Sequence, residues 1–96
     1  MNAWTLRWQE RELRFGAQIL SLTPMESALL SVLEQAHGEL VGYARLSEQA
    51  WGNLHLGDGA HVHATLKRLR RKLAGCAAPV RVEAVRGVGL RLVSRT

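Results

Sequence analysis

Between residues 60 and 75 the chain places Lys67, Arg68, Arg70, Arg71 and Lys72 within six consecutive positions, and no acidic residue interrupts the segment. Such residues do no covalent chemistry in this setting. They bind anions, and arginine also pairs two N–H donors with a planar acceptor. The same segment carries Val62, Leu66, Leu69 and Leu73, spaced as one narrow apolar face of a helix. On a wheel of about 100° per residue, Ala60, Ala64, Lys67, Arg68 and Arg71 fall opposite that face. Arg70 and Lys72 fall on its two flanks, with Thr65 beside Lys72. A merely solvated helix interleaves glutamate at i,i+4 spacing, and this one does not. Small residues in its N-terminal half allow close approach to the floor of a major groove. Arg68 is the best placed for a bidentate contact with a guanine edge, and Lys67, Arg70, Arg71 and Lys72 suit phosphates.

A second contact is offered by Arg86-Gly87-Val88-Gly89. An arginine at a glycine-permitted turn projects from the fold and suits a narrow minor groove. Charge along the chain is polarised: residues 1–59 hold four basic against seven acidic residues, residues 60–96 nine against one. That polarity fits an anionic partner on one face. Nucleic acid is favoured over a membrane surface, because the basic helix spends its apolar stripe on a core.

Other chemistries find little support. Cys76 is the only cysteine, so neither an internal disulfide nor a multi-cysteine zinc site is available. His61 and His63 lie about 200° apart on a helix and cannot chelate one ion together; with His55 they complete no ligand set, and no metal or cofactor is expected. No nucleophile elbow, phosphate-cradling glycine loop or carboxylate pair is present, so an enzyme is not expected. Trp4, Trp8 and Trp51 read as core packing rather than as stacking platforms. No run approaches the roughly 18 apolar residues of a membrane span, and the first residues lack the pattern of a signal peptide. The expected compartment is the cytoplasm, with no membrane partner.

The elements that position these residues make one α+β domain over residues 1–96. Short strand-like runs at Thr5–Trp8, Glu12–Phe15 and Gln18–Leu20 come first. Thr23-Pro24-Met25-Glu26 is a capping box with proline at the first helical position, opening a helix that Gly38 closes. A second helix is expected from about Tyr43 to Ala50, with Leu46, Ala50 and Trp51 facing inward. After a loop over residues 52–59, a third helix runs from Ala60 to Ala74 and stops at Gly75. Val80–Val85 and Val88–Val93, joined at Arg86-Gly87, form a terminal hairpin.

In this order and spacing the chain resembles the OmpR/PhoB-type winged helix-turn-helix effector domain of bacterial response regulators. The residues that carry the resemblance are Leu22-Thr23-Pro24-Met25-Glu26 with Leu29-Leu30, Leu46 through Ala50-Trp51-Gly52, Val62 with Leu66 to Leu73, and Val85 to Leu92. It implies a four-stranded N-terminal sheet, a three-helix core and a wing, with the third helix in the major groove and the wing in the adjacent minor groove of promoter DNA. Ala64 and Arg68 match its base-contacting positions, Thr65, Lys67 and Arg70 its phosphate contacts, and Arg86 its wing arginine. The resemblance also implies head-to-tail dimers on direct repeats, with a monomer or weak dimer when free. It further implies contact with RNA polymerase through the loop of Asn53, Leu54, His55, Leu56 and Gly57. The phosphoacceptor receiver domain that normally precedes such a module is not among these 96 residues. Departures at Ala60, His63, Ala84 and Leu90 leave fewer polar base-reading groups. They support the alternative of a winged-helix interaction module that contacts polymerase or another regulator and binds DNA weakly.

Overall fold

A computed structural model describes residues 4–51 and 60–94, and the side chains of 4–50 and 62–94. Three short strands open the fold: β1 (Trp4–Arg7), β2 (Glu12–Phe15) and β3 (Gln18–Ser21), paired antiparallel in that order. Alternation sets which face is buried. Leu6, Leu13 and Leu20 stand in one row across the sheet and face the core, while Arg14 and Ile19, one position along, face outward. Gly16 takes φ +57° at the first position of the two-residue turn between β2 and β3, a conformation that favours glycine there. Trp4 packs half-buried against the core. Trp8, expected inside, sits in the β1–β2 turn with half its surface exposed.

The capping box forms as expected. Glu26 donates its amide to Thr23 Oγ1 at 3.2 Å, and Thr23 donates its amide to Glu26 Oε1 at 2.9 Å. They open α1 (Pro24–Gln35), which buries Leu29, Leu30, Val32 and Leu33. Beyond it, β4 (Val41–Gly42) leads straight into α2 (Tyr43–Trp51). β4 does not join the N-terminal sheet, which has three strands among the described residues rather than four. It pairs with β6 in a second sheet of order β4-β6-β5, formed with the terminal hairpin β5 (Val80–Val85) and β6 (Gly89–Ser94). Gly89 permits that contact. A Cβ there would lie 2.0 Å from the Val41 carbonyl oxygen, so any side chain would drive β4 and β6 apart.

Between α2 and the hairpin lies α3 (Ala60–Gly75). Its stripe of Val62, Leu66, Leu69 and Leu73 is buried throughout, packed with Leu46 and Leu90 into the common core. The helix stops at Gly75 as expected, but the left-handed residue that caps it lies two residues on. Ala77 adopts φ +51°, its amide donates to Ala74, and the amide of Ala78 donates to Leu73. These are the bonds of a Schellman cap with alanine in glycine's usual place.

Candidate nucleic-acid interface

Burial of the leucine stripe turns the opposite side of α3 outward. Ala64, Lys67, Arg68 and Arg71 are exposed there, and His63 is exposed on the flank. Lys67, Arg68 and Arg71 make no ion pair or side-chain hydrogen bond among the described residues, so their donors face solvent. Ala64, one turn before Arg68, leaves room beside it for a bulky partner. The side chains of Ala60 and His61 lie outside the described residues, as does the loop from Asn53 to Gly57.

Two flanking cations are used differently. Arg70 donates from Nε and Nη2 to the Val82 carbonyl, at 3.1 and 2.9 Å, and so ties α3 to β5. Lys72 reaches the other way. Its Nζ lies 2.7 Å from Glu26 Oε1 and 3.3 Å from the Ser21 carbonyl. Glu26 is fully buried, and its second oxygen has no hydrogen-bond partner among the described residues. Burial alone would push this carboxyl up; Lys72 and the Thr23 amide outweigh it and hold the group below the ordinary glutamate range.

These contacts weigh against three expectations of phosphate binding. Thr65 is buried at 3% exposure, because its flank of α3 turns toward the body. Lys72 is engaged by an internal carboxylate, and Arg70 commits two donors to the sheet. The signal was already on the wheel, which put these residues on the flanks of the apolar face and not opposite it. Glu26 gave no such signal, since it lies 46 residues from its partner.

At the wing, Val88 donates its amide to the Val85 carbonyl at 2.9 Å, and Gly87 takes φ +76° at the third position of that turn. Arg86 is exposed at the tip, between exposed Val85 and Val88, with no ion pair or side-chain hydrogen bond among the described residues. Arg91, still about half exposed, is bound to Glu83 directly across the ladder, and Arg81 also reaches that carboxylate. Arg91 is the main reason that Glu83 sits below its ordinary range. The wing thus presents one free cation among its described side chains, at its tip.

A convex basic helix beside an arginine-tipped hairpin can occupy two adjacent grooves of a duplex. The family described as "Transcriptional regulatory protein, C terminal" matches residues 16–92. The chain belongs to this family.

The resemblance to OmpR/PhoB-type effector domains is thereby borne out, and so is the winged-helix architecture. The regulatory domain is 38% identical over 81 residues to the transcriptional regulatory protein YxdJ of Bacillus subtilis, covering 84% of this chain and 35% of that protein. It spans about a third of the length of the curated relatives it matches. Among solved structures, the DNA-binding domain of CpxR from E. coli matches with TM-score 0.79 at 29% identity, over 100% of this chain and 95% of that one. The AdeR DNA-binding domain, solved in complex with an intercistronic region, matches with TM-score 0.80 over 98% of this chain and 97% of that one. At 19% identity that likeness is one of fold. Among the described residues, no helix of the regulatory domain is long and apolar enough to cross a membrane, and no three potential metal ligands are gathered together.

Proposed function

We propose that this chain is the duplex-DNA-binding part of a bacterial transcription regulator, acting in the cytoplasm, with α3 in the major groove and the wing in the adjacent minor groove. One observation carries the proposal: Lys67, Arg68 and Arg71 stand exposed, with no ion pair among the described residues, on the side of α3 opposite its buried stripe. Three such cations on one rigid helix face form an electrostatic footprint for a polyanion. Arg68 reads a base edge with Ala64 allowing close approach, Lys67 and Arg71 neutralise phosphates, and Arg86 enters the minor groove. The solved AdeR complex and the names of the curated relatives support this reading. It extends to head-to-tail pairing on direct repeats and to polymerase contact through Asn53–Gly57.

Selection of bound sequences from a random duplex library tests the proposal. The expected result is an enriched motif repeated at about one helical turn, with preference at one base pair relaxed in Arg68→Ala. A library that emerges unenriched, with wild type and Arg68→Ala indistinguishable, contradicts specific recognition and favours an interaction module.

A further inference from the structure

His63 occupies a place that the basic face alone does not explain. It is exposed on α3, and its ring centroid lies 5.0 Å from that of Tyr43, with the planes tilted by 56°. Tyr43 opens α2, and its amide donates to the carbonyl of Val88, in the wing turn, at 3.2 Å. On the helix wheel His63 shares the flank of Arg70, which is bonded to Val82 in the wing strand β5. His63 therefore stands where the helix, the start of α2 and the wing converge. A duplex that takes α3 in its major groove and the wing in the next minor groove must pass a sugar–phosphate strand between them, across that junction.

We propose that His63 is a phosphate contact for the strand dividing the two grooves, and that duplex binding takes up a proton at this side chain. The proposal rests on the DNA-binding reading above and adds a residue and a regulation to it. The ring packed against His63 is that of Tyr43 from α2; on its own helix Lys67 stands one turn on and Arg70 two turns on along the same flank, and Arg86 is the cation of the wing without an ion pair among the described residues. No carboxylate among the described residues pairs with His63. A backbone phosphate supplies the anion that an imidazolium needs, while the Tyr43 ring restrains the imidazole. Imidazole changes charge between about pH 5 and 8, and a neighbouring phosphate favours the charged form. Affinity accordingly rises as pH falls through that window.

The test is the affinity of the chain for a labelled mixed-sequence duplex at constant low salt, measured from about pH 8 to about pH 6. A duplex without a chosen site suffices, because phosphate contacts carry no sequence information. Wild type is expected to tighten roughly three- to tenfold across the range. His63→Gln should lose most of that gain, and His63→Lys should bind at the upper pH about as tightly as wild type at the lower. A His63→Gln protein that tightens as much as wild type overturns the proposal and assigns the proton elsewhere. If wild type binds no duplex at either pH, the DNA reading itself fails, and this inference falls with it.

Discussion

The β1–β2 hairpin and the outer face of α3 both carry exposed basic residues, yet they treat them in opposite ways. On the hairpin, Arg7 holds Glu10 through two hydrogen bonds of 2.5 and 2.9 Å, and Arg14 holds Glu12 at 2.8 and 3.0 Å. On α3, Lys67, Arg68 and Arg71 hold nothing among the described residues. Arg11, in the same hairpin, is exposed without an ion pair among the described residues, so the hairpin's local field is mostly rather than wholly cancelled, while that of α3, with three such cations on one face, projects into solvent. What separates the two regions is how many neighbouring cations stay unpaired on one face, not how many arginines each carries. Arg70 and Lys72 form a third class, basic residues spent on holding the helix in place.

The sharpest way to break this comparison is to remove the cation that is turned inward. Lys72→Met leaves Glu26 buried with its charge opposed chiefly by the Thr23 amide. Breaking a fully buried pair costs about 3–5 kcal/mol. Because Lys72 keeps 35% of its side-chain surface in water, a loss of roughly 2–3 kcal/mol in urea unfolding is expected here. Adding Glu26→Gln should recover part of it. A Lys72→Met protein as stable as wild type would remove Lys72 from the class of tethers.

Next in size is the outward face. Arg68→Ala should cost about 1–3 kcal/mol of binding at a selected site and much less at others, whereas Lys67→Ala and Arg71→Ala should weaken all duplexes alike. None of the three should move the urea midpoint noticeably. Titration of binding against selected and scrambled duplexes checks both statements.

The Glu26 contact also sets a pH dependence. Its carboxyl is held below the ordinary range in the fold, so the unfolded chain takes up that proton first as pH falls. The stabilisation is complete above about pH 5 and is lost as pH drops through the lowered folded value. Glu26→Gln should flatten that part of the acid unfolding curve. The smallest effects belong to the hairpin: Arg7→Ala and Arg14→Ala remove exposed pairs worth about 0–1 kcal/mol, and DNA affinity should not change.

Much of this architecture is legible because it is local. The Thr23–Glu26 capping box, the Val62–Leu73 stripe and the Arg86-Gly87 turn each lie within a few turns or residues, where propensity and periodicity act. What escaped depends on contacts across the fold. β4 is two residues long and shows no alternation; it exists because Gly89 lets Val41 close on β6. The cap at Ala77 escaped because Gly75 looks the better candidate, although the chain reverses only once Ala78 can return to Leu73. At the candidate interface, residue type marked the basic segment. Type alone could not separate free cations from tethers, since Glu26 and the Val82 carbonyl arrive from distant parts of the chain.

The salt dependence of duplex binding tests the central claim most directly. With Lys67 and Arg71 on phosphates, log K against log salt should fall with a slope whose magnitude drops by about 1 in Lys67→Ala and by about 1 again in Arg71→Ala. Arg68→Ala, at a base edge, should change specificity more than slope, while Lys72→Met, measured where it is folded, leaves the slope unchanged. Equal slope losses for Lys72→Met and Lys67→Ala, or an unaltered slope after Lys67, Arg68 and Arg71 are all removed, would contradict the account.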